Sequence, residues 1–274
     1  MAQALDSSRV EAIAAELMTV LGSGKTVEPF SKRFADFDMS QAYTVAERVR
    51  ELREQRGQRV VGRKIGFTNR AAQQAFGVSA PIWNYMFETT VRDIGVSGSF
   101  ALSGTCAARI EPEIVLHLAS APRVGMNETE LAGCIDWVAH GYEIVDAIYP
   151  NWSFAATDAV AGYGVHAALL LGAKQTIADN RTQWAARLST FTITLTSSDG
   201  VTRSGSGANV LGSPLTALKF LIDEVARYPQ SRPLAAGEII TTGTLTDAMP
   251  VTAGQRWTTK LDGIALGGIA VEFR

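Results

Sequence analysis

The chain has 274 residues, 46% of them hydrophobic, and its 25 Lys and Arg against 27 Asp and Glu leave a net charge of -2. That is enough apolar material for one large core, or for a small lobe beside a large one. No run of Lys and Arg supplies the footprint of a nucleic-acid binder, no apolar stretch reaches membrane-span length, and Asp6, Arg9 and Glu11 stand where the apolar stretch of a secretory leader would lie.

Residues 7–21 predict an amphipathic helix, with Val10, Ile13, Ala14, Leu17 and Leu21 as its apolar stripe. The following Gly22-Ser23-Gly24-Lys25-Thr26 has the tail of a phosphate-binding loop. The full pattern needs glycine where Thr19 stands, and a strand rather than a helix before it, so the segment reads as a glycine-terminated helix. Residues 29–38 predict a loop. Ser40 predicts the cap of a second helix to about Gln55, with Ala42, Val45, Ala46, Val49 and Leu52 inward and Gly57 at its end. Residues 1–58 thus read as a small helical N-terminal region, and residues 59–274 as the main domain.

Residues 60–68 carry a strand signal that places Lys64 among apolar neighbours, either reaching to water or held in a pocket as a cation. A short helix is expected at 70–76, and an aromatic loop at 81–86. Residues 109–118 read as a strand in which Glu111 and Glu113, two apart, point to one face. Like charges at that spacing repel, and carboxylates are seldom buried uncompensated. Either this face is open to solvent, or a hard divalent cation such as Mg²⁺ or Mn²⁺ compensates it. The only two cysteines, Cys106 and Cys134, lack CxxC spacing and suit the reduced thiols of a soluble cytoplasmic protein.

Asn127-x-x-Glu130 predicts a capping box for a helix to about His140. After Gly141, residues 142–148 read as a strand with Glu143 and Val145 on one face and Tyr142, Ile144 and Asp146 on the other, which adds a third acid to an apolar setting. Residues 167–172 look like a buried strand. Phe191, Ile193 and Leu195 alternate with threonines before a Ser198-Asp199-Gly200 hairpin turn, and residues 204–209 predict a flexible stretch. Ser213-Pro214 opens a helix to Tyr228. Residues 239–244 run from a strand into a hydroxyl-rich turn, and strands at 257–261 and 269–273 close the domain.

No GxSxG elbow is present, and His117, His140 and His166 lack zinc-helix spacing, so each reads as a core or surface histidine still able to shuttle a proton. What remains is Glu111, Glu113 and Glu143 as an all-oxygen site with Lys64 as a possible cation beside it. Such a set suits a chelating 2-oxo acid, whose enolate a metal would stabilise as a Lewis acid while Lys64 adds charge or carries a proton.

Five segments together resemble the motifs of the 2-keto-4-pentenoate hydratases and their relatives the 4-oxalocrotonate decarboxylases, within the fumarylacetoacetate hydrolase superfamily. They are Lys64-Ile65-Gly66-Phe67-Thr68, Ile110-Glu111-Pro112-Glu113, Tyr142-Glu143-Ile144-Val145-Asp146, residues 207–214 and Thr242-Gly243-Thr244. The resemblance implies an α+β fold, a mixed β-rich core with packed helices, and a Mg²⁺ or Mn²⁺ site in a homo-oligomer. By motif position it makes Glu111, Glu113 and Glu143 the metal ligands, Lys64 the active-site lysine and Thr244 a contact for the substrate carboxylate. The chain departs from the pattern at Ile82, at Ala147-Ile148 and at Gly162-Tyr163, where many relatives carry polar groups. The expected activity is hydration of 2-hydroxypenta-2,4-dienoate or a related 2-oxo-enoate to a 4-hydroxy-2-oxo acid. Decarboxylation of 2-oxo-3-hexenedioate is the runner-up. C–C hydrolysis of an acylpyruvate would want a histidine beside the acids, which the sequence does not place there. A paralogue that binds metal without turnover is the non-enzymatic alternative, against which Lys64 and the three acids argue.

Overall fold

A computed structural model describes residues 7–274; Asp6 lies outside them. The first helix, α1 (Ser7–Val20), buries Val10, Ile13, Ala14, Leu17 and Val20, and Gly22 at φ 74° turns the chain out of it. The stretch expected to be a loop contains one helical turn, α2 (Phe30–Arg33), pinned because buried Asp158 accepts hydrogen bonds from the Ser31 N–H and hydroxyl. Asp38, not Ser40, caps α3 (Met39–Gln55). Its carboxylate accepts the Gln41 N–H while the Gln41 side chain accepts the Asp38 N–H. Ser40 has Tyr43 three residues on, which cannot complete that reciprocal pair.

The strands follow as β1 (Val60–Gly66), β2 (Ile82–Phe87), β3 (Val91–Gly95), β4 (Ser97–Phe100), β5 (Arg109–Leu118), β6 (Ile135–Val145) and β7 (His166–Thr176). After them come β8 (Thr192–Ser197), β9 (Thr202–Ser206), β10 (Ile239–Thr241), β11 (Met249–Pro250), β12 (Arg256–Asp262) and β13 (Ala270–Phe273). Between them lie α4 (Arg70–Ala75), α5 (Glu128–Gly133), α6 (Ala156–Ala161), α7 (Arg181–Thr190) and α8 (Pro214–Ala226). One sheet runs β2-β1-β10-β5-β6-β7-β3, with β11 also on β5; the other runs β4-β13-β12-β8-β9. Both mix parallel and antiparallel pairs, so the fold is the α+β, β-rich architecture expected.

Tyr142 and Ile144 of β6, with Ile110 of β5 and Leu170 of β7, pack against Trp257, Val271 and Phe273 of the second sheet. The helices cover the remainder. Tyr43 of α3 stacks on Trp83 of β2 at 4.9 Å and its hydroxyl accepts the Trp83 N–H.

Three expected elements differ. The aromatic loop is β2, in which all six residues are buried. The helix begun at the Asn127–Glu130 capping box stops at Gly133, and residues 135–145, with His140 and Gly141, are one long strand hydrogen-bonded on both sides. The stretch expected to be flexible at 204–209 is the end of β9 and a single helical turn, held because Asn209 Nδ2 donates to the Leu245 carbonyl at 2.8 Å.

Candidate metal centre

In the β5–β6 ladder Glu111 lies opposite Glu143, and Glu113 opposite Gly141. Residues opposite one another share a face, so all three carboxylates leave the sheet on the same side. Met86, Val115, Ala139, Leu169, Leu171 and Ile239 form the apolar part of that side. Register brings Lys64 there as well. Gly62, two residues before it, pairs with Ile239, which pairs with His117, and His117 shares the parity of Glu113. Lys64 Nζ donates to Glu143 Oε2 at 2.9 Å. In a flat sheet β1 and β6 would be about 14 Å apart, three strand spacings. The contact therefore requires the sheet to curl around the acids.

The ladder opens beside the site. β10 ends at Thr241 and β11 begins at Met249, so β5 has no partner strand on that edge next to Glu111 and Glu113. The Thr242-Gly243-Thr244 turn enters the gap, where the Gly243 N–H donates to Glu113 Oε2 at 2.6 Å and the Leu245 N–H to the Pro112 carbonyl at 2.9 Å. Pro112 lies inside a strand without cost because its absent N–H faces this broken edge. Gly243 has φ 96°, and a Cβ there would come within 1.9 Å of Thr68 Oγ1. Only glycine lets that N–H reach Glu113.

Glu113 and Glu143 are 0% exposed and Lys64 is 2% exposed. Burial, then the neighbouring Glu143 and Glu111 carboxylates, drive the Glu113 pKa well above the ordinary range. Burial and Glu143 push Glu111 up to about 7 against the pull of Lys64 and Arg109. Burial works against ionisation of Glu143 too, yet Lys64 and His166 reverse it and hold it down at about 2. Burial disfavours the Lys64 charge, but the three acids outweigh it and raise its pKa.

Were all three carboxylates ionised, one ammonium would leave two negative charges uncompensated in a buried pocket, which is why the Glu111 and Glu113 pKa values rise when no cation is bound. One oxygen from each acid lies within 4.8 Å of the others, near the roughly 3 to 4 Å between ligands of one small hard cation. Glu113 Oε1 is buried and accepts no hydrogen bond. An all-oxygen donor set with an orphaned carboxylate oxygen fits a hard divalent ion.

The acids underlie a cleft of about 410 Å³, with Lys64, Glu111 and Thr244 on its wall. Phe67 stacks on Phe76 at 4.2 Å and Phe76 on Phe154 at 5.5 Å, so one side of the cleft is aromatic. Phe67 at φ 58° and Val165 at φ 53° both line it, and left-handed backbone at a bulky or β-branched residue is strained and tends to cluster at working sites.

Two further side chains stand at the site. Arg109 lines the cleft with its guanidinium 4.0 Å over the Trp152 ring, and no described carboxylate pairs with it. Its parity with Glu111 and Glu113 was the available signal. His166, read as a core or surface residue, lies against the acids after all, with Nδ1 2.7 Å from Glu143 Oε1 and Nε2 3.0 Å from Thr90 Oγ1. Burial lowers its pKa despite Glu143, so the ring is neutral, with its Nδ1–H donating to Glu143. It lies behind Glu143, away from the cleft. At Gly162 a Cβ would lie 2.7 Å from Tyr149 Oη, which explains why no larger polar side chain stands there.

No family model matches the chain. It is 29% identical to the 2-keto-4-pentenoate hydratase of Paraburkholderia phymatum over 98% of both chains. It is 30% identical to 2-keto-4-pentenoate hydratase 1 of Dechloromonas aromatica over 96% of both. Among solved structures, the 4-oxalocrotonate decarboxylase of Pseudomonas putida G7, complexed with magnesium and adipate, superposes with a TM-score of 0.90 at 24% identity over 99% of both chains.

Proposed function

The chain belongs to the 2-keto-4-pentenoate hydratase family, and from that premise we propose that it hydrates 2-hydroxypenta-2,4-dienoate, or a substituted relative, to a 4-hydroxy-2-oxo acid. It is an enzyme of the lyase class acting on a small 2-oxo acid. In the reaction the dienol loses its 2-hydroxyl proton and gains one at C5, which gives a 2-oxo-3-enoate. Water then adds its hydroxyl at C4 and a proton at C3.

Mg²⁺ or Mn²⁺ held by Glu111, Glu113 and Glu143 supplies Lewis-acid polarisation of the C2 oxygen when bound. The protein's own groups do the rest. Lys64, oriented by Glu143, keeps a positive charge against the oxygen that gains negative charge and carries a proton. Thr244 and Arg109 hold the substrate carboxylate, the guanidinium offering a two-pronged donor. A carboxylate or a water in the cleft moves the remaining proton. Phe67, Phe76 and Phe154 exclude water from the hydrocarbon end. Every one of these side chains falls within residues 59–274, which we take as the catalytic part, with residues 1–58 as its helical flank. The reading includes a cytoplasmic homo-oligomer, whose mass light scattering will report; none of the described helices is long and apolar enough to cross a membrane.

The observation that carries the proposal is the orphaned Glu113 oxygen among three carboxylates and one ammonium beneath an aromatic-walled cleft. Its test is ultraviolet loss of the dienoate after chelation and after adding back Mg²⁺ or Mn²⁺. Turnover should vanish and return; turnover that persists through thorough metal removal overturns the mechanism.

Arg109 favours one second reading. If Thr244 holds the C1 carboxylate, the free guanidinium is available to a distal carboxylate, as decarboxylation of 2-oxo-3-hexenedioate requires. Product mass separates gain of water from loss of CO₂. Acylpyruvate hydrolysis lacks support because His166 turns its other nitrogen to Thr90 and away from the cleft.

A further inference from the structure

On the far side of Glu143 a second cavity, of about 290 Å³, opens between the end of α3, β3 and the start of β7. Arg53 and Arg56 line it from the end of α3, and Arg92 from β3. Among the described residues none of the three forms an ion pair. The acids nearest in sequence are engaged elsewhere: Glu54 by Arg50 and Arg232, Glu88 by Arg59, and Asp93 by Lys174. Asp146, on the same wall, accepts the backbone N–H groups of Cys106 and Ala107.

Arg53 is the inner member. Its guanidinium carbon lies 4.2 Å from the Phe87 ring centroid and 4.6 Å from that of Tyr163. Nε donates to Gln58 Oε1 at 2.6 Å and Nη2 reaches Thr90 Oγ1 at 3.4 Å, which leaves other N–H groups of the guanidinium without acceptors. Burial lowers its pKa, the Tyr163 hydroxyl only partly counters that, and the neighbouring Arg56 adds to the penalty; no carboxylate opposes it. The hydroxyl of Tyr163, on the same wall, is buried beside Arg53 and Thr90. A helix C-terminus favours basic residues and accounts for Arg53 and Arg56 being there. It does not account for Arg92, which belongs to a strand. The wall is rich in unmatched donors, and its complement is a ligand that only accepts and carries more than one negative charge.

We propose that this cavity is a binding site for a small dianion, inorganic phosphate or a short dicarboxylate, held by Arg53, Arg56 and Arg92. The site is separate from the catalytic cleft and does not depend on which reaction the cleft performs.

Calorimetric titration of the full chain with inorganic phosphate, and separately with succinate, tests it. Saturable binding of either at one site per chain is expected, and the tighter of the two identifies the ligand's shape. Arg53→Gln should weaken it at least about tenfold, the loss expected for a charged hydrogen bond. Arg92→Gln, at an exposed rim position where folding is not at stake, should weaken it as well. Arg109→Gln, in the cleft, should leave it unchanged. No binding up to millimolar anion, or binding that Arg109→Gln removes while Arg53→Gln and Arg92→Gln do not, overturns the proposal.

Discussion

Glu113 has one oxygen committed to a backbone N–H and the other buried with no donor, against the like-charged Glu143, so the metal-free protein carries a buried group it would be more stable without. Glu113→Gln keeps an acceptor for Gly243 and removes the ionisable group. Its melting temperature in chelator should therefore equal or exceed that of the parent. The rise on adding Mg²⁺ should shrink, because stabilisation by a ligand follows its affinity for the folded state. A residue that merely packs would instead lower the melting temperature in both conditions. At Lys64 the expectation differs: Lys64→Met should retain measurable metal binding yet reduce kcat by about 100-fold or more, the scale of a lost acid–base group. Much of this site was legible from parity alone, since Glu111 and Glu113 are two apart and Glu143 falls in a second apolar strand. Arg109 obeys the same parity and was readable by it. His166 was not. Its approach to Glu143 depends on the β6–β7 register and on positive φ at Tyr163 and Val165, which no spacing rule encodes.

The ends and edges of elements decided what patterning left open. Residues 135–139 place Ile135, Val138 and Ala139 at helical spacing, which extends the helix that the Asn127 capping box opens; pairing with β5 on one side and β7 on the other overrides that period. β2 escaped notice because it is buried on both faces and shows no alternation. At α3 the two candidate caps make opposite predictions. Asp38→Ala should cost about 1 kcal/mol of stability, while Ser40→Ala, inside the first turn, should cost close to nothing, as urea unfolding will report. The Thr242–Thr244 turn connects local geometry to chemistry. A Cβ at Gly243 would meet Thr68 and force a left-handed φ on a side chain, so Gly243→Ala should destabilise by roughly 1 to 3 kcal/mol. Metal affinity should fall with it, because the N–H that fixes Glu113 shifts. Full metal affinity in a destabilised Gly243→Ala protein would uncouple the turn from the site.

The two sheets meet across an apolar layer that is crossed by polar contacts from the strand bearing Glu143. His140 of β6 donates from Nδ1 to the Glu113 carbonyl at 2.9 Å, and its Nε2 lies 2.8 Å from Thr259 Oγ1 on β12 of the other sheet. Tyr142 reaches the Ile269 carbonyl at 2.9 Å from the same strand. The acids' backbone is thus tied to the second sheet through a neutral imidazole. Burial lowers the His140 pKa from 6.5 to about 4, only partly countered by the Glu113 carbonyl. A histidine depressed in the folded state stabilises that state fully above its unfolded pKa. As pH falls from 6.5 toward 4 the unfolded chain takes up a proton that the folded one refuses, so stability declines by up to about 1.4 kcal/mol per pH unit. Below the folded pKa both states are protonated and the loss levels off, at about 3 kcal/mol in all. Raised carboxylates elsewhere act with the opposite sign, so the contribution is read as a difference between parent and His140→Gln. In chelator, the stability gap between them should narrow as pH drops from about 7.5 to about 4.5 in urea unfolding. A gap constant across that range would mean that His140 already carries its proton in the folded protein, and that the layer between the sheets admits water.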